Sequence, residues 1–283
     1  MKKIWIYTVL ISCGACSGLD DDQFPDVRKV VIDGYIEQGQ YPIVYLSYSS
    51  GFYEPVDSAS LQELVLPTAR VEISDGEESE VLTLFRNTEV YPPFYYRATD
   101  LRGEAGKTYT LNVRSMGETY TAETTIPVPV EIDSIWIEVD QDVDTLGNLW
   151  IRFQDQPDVR NYYRVFTQVR GKDEKYIPAY QSTISDRIVD GEVYDHPVLK
   201  LPESFINIGD DLLFTKGDTI RIRFCAIDQA HFDFWRSLER ELYLVGNPFG
   251  SSGNEVISNI QGTRPVLGIW GGYGATYKSI VFK

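Results

Sequence analysis

The sequence predicts an all-β fold: two antiparallel β-sandwich domains of the immunoglobulin or fibronectin type, the second with one packed helix. Three observations favour this fold class. Short segments rich in β-branched and aromatic residues recur along the chain, turn-forming residues separate them, and several segments alternate apolar and polar positions. Strands of this length and spacing are typical of antiparallel sandwiches.

The first element is an export signal rather than a strand. Lys2 and Lys3 precede a largely apolar stretch at residues 4–11, and small residues follow it. The stretch is far shorter than the roughly 20 residues that a membrane-spanning helix needs. A positive start, a short apolar middle and small residues after it are typical of a secretory signal peptide.

Two cysteines indicate which kind of signal this is. Residues 10–13 resemble a bacterial lipobox ending at Cys13, and Gly14 and Ala15 place two small residues before Cys16. Cys13 has the better local match, whereas Cys16 gives the more usual signal length. We take Cys16 as the lipid-attachment residue and Cys13 as the alternative, so residues 1–16 form the signal and lipobox. A plain secretory peptide with incidental cysteines is the competing interpretation.

An acidic tether is predicted at residues 17–26. It contains three consecutive aspartates at residues 20–22, which keep such a segment solvated and unfolded. Several acyl chains on one cysteine would anchor the protein stably to a membrane. In one group of Gram-negative bacteria, an acidic cluster after the lipid cysteine resembles the signal that sends lipoproteins to the cell surface. We therefore expect a lipid-anchored, surface-exposed protein of the outer membrane.

The first sandwich is predicted at residues 27–126. Asp75-Gly76 and Met116-Gly117 supply tight turns between its strands. The predicted strands of this domain are residues 27–36, 41–48, 69–74, 80–85, 107–114 and 117–125.

The domain boundary is predicted at residues 126–130, because Pro127 and Pro129 cannot donate to a central ladder and stiffen a connector. The second sandwich is predicted at residues 131–283. Its predicted strands are residues 133–139, 147–153, 162–169, 219–227 and 278–283.

One helix is predicted near residues 229–244. Asp228 is suited to its N-cap, and Gly246 is suited to its end. We expect this helix to pack on the second sheet through an apolar stripe formed by Phe232, Trp235, Leu238 and Leu242. The later pair Gly271-Gly272 permits either a close backbone approach or positive φ, and it lacks the features of a phosphate loop.

Composition and charge disfavour several functions. The formal net charge is -16, from 42 acidic against 26 basic residues, and such a surface repels nucleic acid. Cys225 lies in a strand-like run and is predicted to be a buried small hydrophobe. His196 and His231 do not have the spacing of a metal motif. Residues 140–144 match a calcium loop only loosely, so a hairpin turn is the favoured interpretation.

These sequence features predict neither a catalytic residue nor a cofactor or metal. Aromatic residues in predicted loops are better candidates for a partner or ligand surface, because Tyr and Phe rings give contact area at low entropic cost. The candidates are Phe52, Tyr53, Tyr91 and Phe94. The alternative is that these rings fold over the sheet edges, and alternation at Tyr95 and Tyr96 favours a strand there.

Several segments carry a resemblance to a known family. They are the lipobox, Val30-Val-Ile-Asp-Gly-Tyr-Ile36, Asp155-Gln-Pro157, Asn161-Tyr-Tyr163, Gly246-Asn-Pro-Phe249, Ile257-Ser-Asn-Ile-Gln-Gly262 and Gly268-Ile-Trp-Gly-Gly-Tyr273. In order and spacing they resemble the surface lipoproteins catalogued as domain of unknown function 4249, typical of Bacteroidota. Thr263-Arg-Pro265 departs from the family pattern, which more often has a glycine-rich link there.

The resemblance implies a function but no catalytic residues. Such proteins are commonly encoded beside TonB-dependent outer-membrane receptors, which implies a non-enzymatic accessory or capture subunit that partners a β-barrel transporter. A stand-alone glycan-binding or adhesive module is the alternative, motivated by the loop aromatics. A hydrolase is a third hypothesis, supported only by the abundance of carboxylates.

Overall fold

The structure is a computed structural model, and it describes residues 28–49, 64–87, 92–187, 190–203, 209–244 and 255–283. Within these residues the chain is mostly β-strand with one α-helix, which confirms the predicted fold class. None of the helical structure described combines the length and apolar character needed to cross a membrane. Several residues named in the sequence predictions lie outside the described residues, among them Cys13, Cys16, Phe52, Tyr53, Tyr91 and Gly246.

The strands follow the apolar alternation of the sequence. In the first half they are β1 Val30–Glu37, β2 Ile43–Tyr48, β3 Arg70–Ser74, β4 Ser79–Val81, β5 Thr83–Arg86, β6 Phe94–Arg97, β7 Thr108–Ser115 and β8 Glu118–Thr125. In the second half they are β9 Ile132–Val139, β10 Leu146–Gln154, β11 Tyr162–Val169, β12 Ile177–Ser185, β13 Val193–Val198, β14 Phe214–Thr215, β15 Thr219–Ile227, β16 Gln261–Gly262 and β17 Val266–Val281. Helix α1, Gln229–Leu244, precedes β16.

Three sheets form from these strands. An eight-stranded sheet has the order β12-β11-β15-β17-β1-β2-β6-β5. A five-stranded sheet, β16-β8-β7-β3-β4, packs against its β1 side and encloses a first core that includes Ile36, Leu111 and Trp270. A four-stranded sheet of β9, β10, β13 and β14 packs against its β15 side and encloses a second core that includes Phe153 and Phe224.

The predicted strand at residues 80–85 is two strands in different sheets. β4 pairs with β3 in the five-stranded sheet, whereas β5 pairs with β6 in the eight-stranded sheet. Leu82 lies between them with its side chain buried in the first core, and its N–H donates to the carbonyl of Val71 at 2.8 Å. This anchored residue lets the chain cross from one layer of the sandwich to the other.

Strand β17 joins the two halves of the molecule. Its first part pairs in parallel with β1, from Val30 opposite Val266 to Glu37 opposite Tyr273. Its second part pairs antiparallel with β15, up to Thr219 opposite Val281. Where β17 changes partner, the side-chain amide of Gln38 donates to the carbonyl of Ala275 and accepts the N–H of Ala275. These backbone groups are therefore hydrogen-bonded although β1 has ended.

This arrangement differs from the predicted organisation in two respects. The β1–β17 pair is parallel, whereas only antiparallel pairs were expected. The predicted bounds also assigned residues 131–283 to the second sandwich, whereas Ile260 and Trp270 are buried in the first core and β16 pairs with β8. Parallel pairing between distant segments needs a long crossover and leaves no local turn signal in the sequence.

The linker at residues 126–130 passes directly over β17. Ile126 belongs to the first core and Val130 to the second. A Cβ added to Gly274 would lie 2.2 Å from the carbonyl oxygen of Pro127, and one added to Gly272 would lie 2.6 Å from that of Thr125. Gly272 and Gly274 therefore serve close backbone approach, which is one of the two roles that the sequence allowed for the pair Gly271-Gly272.

Candidate functional site

The two faces of the eight-stranded sheet differ in character. Ile32, Gly34 and Ile36 of β1 point into the first core, so Asp33, Tyr35 and Glu37 lie on the opposite face. We call this opposite face the outer face. Through the strand register it also includes Phe85, Tyr95, Arg97, Ile43, Tyr45, Tyr273, Tyr277, Cys225, Arg223, Phe166 and Arg164.

A cleft opens on the outer face where the two halves of the chain meet. Its volume is ≈ 400 Å³, which falls in the range of small-molecule sites. The first half supplies Tyr35, Glu37, Gln40, Tyr41, Ile43 and Arg97, and the second half supplies Arg223 and Tyr277. Because strand β17 holds these halves together, neither half forms the cleft alone.

The carboxylate in the cleft is already paired. Glu37 accepts a hydrogen bond from Arg223 Nη2 at 2.5 Å and another from the Tyr277 hydroxyl. Burial and the neighbouring Glu37 raise the pKa of Tyr277, so its hydroxyl stays protonated and continues to donate. The Arg223 guanidinium also lies 4.5 Å from the ring centre of Tyr273 and 4.8 Å from that of Phe166. These contacts fix Arg223 and neutralise Glu37.

Arg97 is held differently. Its guanidinium lies 4.4 Å from the ring centre of Phe85 and 5.8 Å from that of Tyr41. It forms no hydrogen bond or ion pair with any described residue, and its Nε is buried without a partner. Nearby, Arg102 stacks on Tyr41 at 4.0 Å and donates to the Tyr41 hydroxyl at 2.8 Å.

A row of half-exposed rings extends the cleft along the outer face. Phe85 stacks on Tyr95 at 5.7 Å, and Tyr95 contacts Tyr45 at 5.8 Å. Tyr95 and its neighbour Tyr96 belong to β6, which confirms the strand predicted there. Phe94 points away from this row, because alternation puts it on the other side of β6, where Arg86 lies over its ring at 5.7 Å.

Helix α1 covers the part of the outer face formed by β17, β11 and β12. Asp228 caps it as predicted: Oδ1 accepts the N–H of His231 at 2.8 Å, and Oδ2 accepts the hydroxyl of Thr124 at 2.6 Å. The predicted apolar stripe is partly wrong, because Leu242 is 43% exposed. The buried helix residues include His231, Phe234 and Glu239, since the helix lies on polar side chains of the strands.

Those polar contacts are specific. Glu239 accepts hydrogen bonds from the N–H of Ser182 at 3.1 Å and the hydroxyl of Thr183 at 2.9 Å. Arg164 is buried beneath the ring of Trp235 at 3.5 Å and donates to the hydroxyl of Tyr273 at 3.0 Å. Arg164 is therefore packed between Trp235 of the helix and Tyr273 of β17.

The titratable groups around this region are held in defined states. Burial and the nearby Arg164 lower the pKa of His231 to about 3, and its Nδ1 lies 3.3 Å from the carbonyl oxygen of Gly272. Burial raises the pKa of the Cys225 thiol to about 12, so it packs as the small hydrophobe that was predicted. Asp33 is accessible to solvent, yet desolvation by the surrounding protein raises its pKa against the opposing Arg164 and Lys175.

Comparison with known families decides the relationship of this chain. A family model described as domain of unknown function (DUF4249) matches residues 19–279. The chain belongs to the DUF4249 family. Among curated proteins, no sequence matches it.

A second cluster in this DUF4249 chain is acidic. Carboxylate oxygens of Asp155, Asp186 and Asp190 lie within 4.8 Å of one another, close enough to share a cation. Asp186 is already paired with Arg160 at 2.8 Å, and Asp155 accepts the hydroxyl of Tyr163. Asp155 is distant in sequence from Asp186 and Asp190, so no local motif indicated the cluster.

The loose calcium-like segment at residues 140–144 is a hairpin turn, as predicted. Asp140 Oδ1 accepts the N–H groups of Asp142 at 3.0 Å and Val143 at 2.9 Å. The turn connects the antiparallel strands β9 and β10. Its carboxylate therefore serves the backbone of the turn.

A second aromatic surface lies on the four-stranded sheet. Trp136 and Trp150 are cross-strand neighbours whose half-exposed rings are nearly parallel, with ring centres 6.0 Å apart. Arg152 lies over Trp136 at 5.6 Å and pairs with Asp195. These residues face away from the second core, which takes Leu149 and Ile151 from the same strand.

Sequence reasoning missed the cleft for a physical reason. Its residues come from β1, β2, the connection between them, β6, β15 and β17, and only the parallel β1–β17 pair brings the two halves together. One signal was present: Tyr35, Glu37 and Arg223 are large polar or charged residues at alternate positions of strands whose other face is apolar. Period-two alternation predicts such a second face but does not identify its neighbours.

Proposed function

We propose that this DUF4249 protein is a non-enzymatic, lipid-anchored surface protein of the outer membrane that captures a ligand and partners a TonB-dependent β-barrel transporter. The observation that carries the proposal is the cleft of ≈ 400 Å³ on the outer face. Its walls combine tyrosine rings with the guanidinium of Arg97, which has no hydrogen-bond or ion-pair partner among the described residues, and this suits binding of a small ligand. In this proposal the folded body of the protein binds the ligand, and the transporter carries the ligand across the outer membrane.

The N-terminal sequence supports the location. The lipobox-like residues before Cys16 and the acidic tether after it would hold the folded body near the membrane without inserting it. The family resemblance supports the partner, because it implies a lipoprotein of a kind commonly encoded beside TonB-dependent receptors. A tethered capture protein raises the local concentration of ligand at the transporter.

The anchor is tested with two single substitutions. Cys16→Ser is expected to abolish acylation and release the protein from the membrane fraction, whereas Cys13→Ser is expected to leave both unchanged. Mass spectrometry of the mature N-terminus provides the readout. An unacylated wild-type N-terminus would overturn the anchor.

The partner is tested by affinity capture of the tagged wild-type protein from detergent-solubilised outer membranes. The proposal expects recovery of a TonB-dependent β-barrel at a stoichiometric level. Cys16→Ser, expressed in the same cells, controls for association that does not need the membrane. Recovery of acylated protein with no β-barrel partner would count against the proposal.

The paired rings of Trp136 and Trp150 favour a second candidate, a stand-alone glycan-binding or adhesive module. Half-exposed rings on a flat sheet surface suit stacking against sugars. Glycan-array binding that is lost in Trp136→Ala and retained in Phe52→Ala and Tyr53→Ala would place the glycan on this surface. Binding lost only in the latter two would place it at the loop aromatics instead.

A further inference from the structure

We infer that the cleft on the outer face binds a carboxylate carried by a six-membered ring, with Arg97 as the group that receives the carboxylate. This inference rests on the proposed role of the cleft as the ligand site and names the class of ligand. Three features of the cleft lead to it: an unused guanidinium, a local excess of positive charge and a wall of tyrosine rings.

The first feature is the unused hydrogen-bonding capacity of Arg97. Buried polar groups in folded proteins are nearly always bonded, and those without partners call for a specific explanation. Arg97 donates to no described residue and its Nε is buried, although the rings of Phe85 and Tyr41 contact the guanidinium. A guanidinium fixed in this way is preorganised for bidentate binding of a carboxylate.

The second feature is charge. The chain as a whole has a net charge of -16, but the cleft contains two guanidinium groups, Arg97 and Arg223, and one carboxylate, Glu37. Glu37 is neutralised by Arg223 at 2.5 Å, which leaves the charge of Arg97 uncompensated. Arg102 adds a further cation beside Tyr41 without a carboxylate partner among the described residues. An anion is therefore favoured over a cation or a neutral molecule.

The third feature is the shape and polarity of the walls. Tyr35, Tyr41 and Tyr277 line the cleft, and a volume of ≈ 400 Å³ accommodates a ring with its substituents. The Tyr35 hydroxyl has no hydrogen bond with a described residue, and burial raises its pKa, so it remains a donor. Register places Arg97 and Tyr35 on either side of Ile43, in one row across three strands. A ring lying on Ile43 would reach both donors.

Two sources share this ligand chemistry: an acidic sugar and an aromatic acid. The test therefore uses a matched acid and neutral analogue for each source, titrated into the purified full-length mature protein by calorimetry. The pairs are trigalacturonate with galactotriose, and benzoate with benzyl alcohol. At least one acid is expected to bind about tenfold more tightly than its neutral analogue, since the charge-assisted bonds to Arg97 are made only by the acid.

Arg97→Gln removes the charge and keeps a planar polar end, and it is expected to weaken binding of that acid about tenfold. Arg97→Lys is expected to recover part of the loss, because it restores the charge without the fork of donors. Arg86→Gln is the matched control: it removes an exposed arginine from the neighbouring strand β5, on the other face of the sheet, and should leave affinity unchanged.

The outcomes separate clearly. Equal affinity for acid and neutral analogue, equal losses in Arg97→Gln and Arg86→Gln, or no binding of either acid at about 10 mM would each overturn the inference. If Arg97→Gln fails to fold, as judged by its melting transition, the test uses the wild-type protein alone. The ratio of its affinities for the acid and the neutral analogue should then fall as salt is added, and a ratio that salt leaves unchanged would overturn the inference. Neither transporter nor membrane enters these titrations, so their failure is distinct from failure of the capture experiment.

Discussion

At the scale of single residues, the pairing of Glu37 with Arg223 explains how a polar cleft is tolerated beside two apolar cores. Both side chains are largely buried, and the Tyr277 hydroxyl bonds the second carboxylate oxygen. A buried ion pair adds little stability overall, but removing one partner leaves an uncompensated charge. Glu37 is therefore needed to compensate the buried charge of Arg223.

Glu37→Gln tests this requirement. It keeps the shape of the side chain but leaves Arg223 without a counter-charge, so we expect a loss of about 1–3 kcal/mol in the free energy of unfolding, measured in urea. Asp195→Asn is the control, because it makes the same change in the exposed pair with Arg152 and should cost much less. Equal losses in the two variants would contradict a special role for the cleft pair.

The second prediction at residue scale concerns pH. The pKa of His231 is about 3 in the folded protein and about 6.5 in a flexible chain, so the unfolded state binds the proton between these values. Its contribution to stability is complete above pH 6.5 and is lost as the pH falls towards 3. The expected slope from this residue is about 1.4 kcal/mol per pH unit in that window.

Comparison of wild type with His231→Asn, in urea titrations between pH 7 and pH 5, isolates this contribution. The variant should lose less stability on acidification than the wild type, whatever its stability at pH 7. His196, whose pKa burial lowers to about 4, and Asp33, whose pKa is raised, are present in both proteins and cancel in the difference. Identical slopes would show that His231 is not held neutral.

At the scale of elements, helix α1 and strand β17 fit together because Gly271 has no side chain. A Cβ on Gly271 would lie 2.3 Å from Cε1 of His231, a separation at which one of the two elements must move. The contact between Gly271 and His231 therefore sets how closely helix α1 approaches the sheet. That distance in turn positions Trp235 over Arg164, which donates to the Tyr273 hydroxyl.

Gly271→Ala is expected to destabilise the protein by about 1–3 kcal/mol through this overlap. His231→Ala in the same chain should remove most of the added cost, because the methyl group then occupies space left by the imidazole. A double-mutant cycle in denaturant measures the coupling. Additive losses would mean that the two elements do not meet at this point.

Elements also show what sequence reasoning can reach. Alternation and turn residues predicted β1, β7, β8 and β10 and the bounds of α1, because these depend on neighbours in the sequence. The parallel pairing of β1 with β17 depends on residues more than 200 positions apart, for which local patterns carry no information. The helix stripe was misjudged for a related reason: Glu239 is buried because Ser182 and Thr183 lie opposite it.

The candidate site residues also differ in whether local sequence could identify them. The loop aromatics Phe52, Tyr53 and Tyr91 were selected by their local context and lie outside the described residues. The cleft instead combines Arg97 of β6 with Arg223 of β15, which line one cleft only when β17, β1 and β2 lie between these strands in the eight-stranded sheet. Each residue looked like an ordinary exposed strand position in the sequence, so its role depends entirely on tertiary structure.

At the scale of the whole molecule, two cores share one sheet. Strand β17 contributes Trp270 to the first core and leads into Ile280 and Phe282 at the second, and the linker at residues 126–130 is packed against its glycines. Separation of the halves would expose both cores and dismantle the cleft. The molecule is therefore expected to unfold as one cooperative unit rather than as two independent sandwiches.

Hydrogen exchange of the full mature chain in increasing denaturant tests this central claim most directly. Peptides from β7 report on the first core and peptides from β10 on the second. A single denaturant midpoint and a common free energy of opening in both sets are the predicted result. Two separate midpoints, with β10 still protected where β7 has opened, would contradict the account of one sheet that joins both halves and builds the cleft.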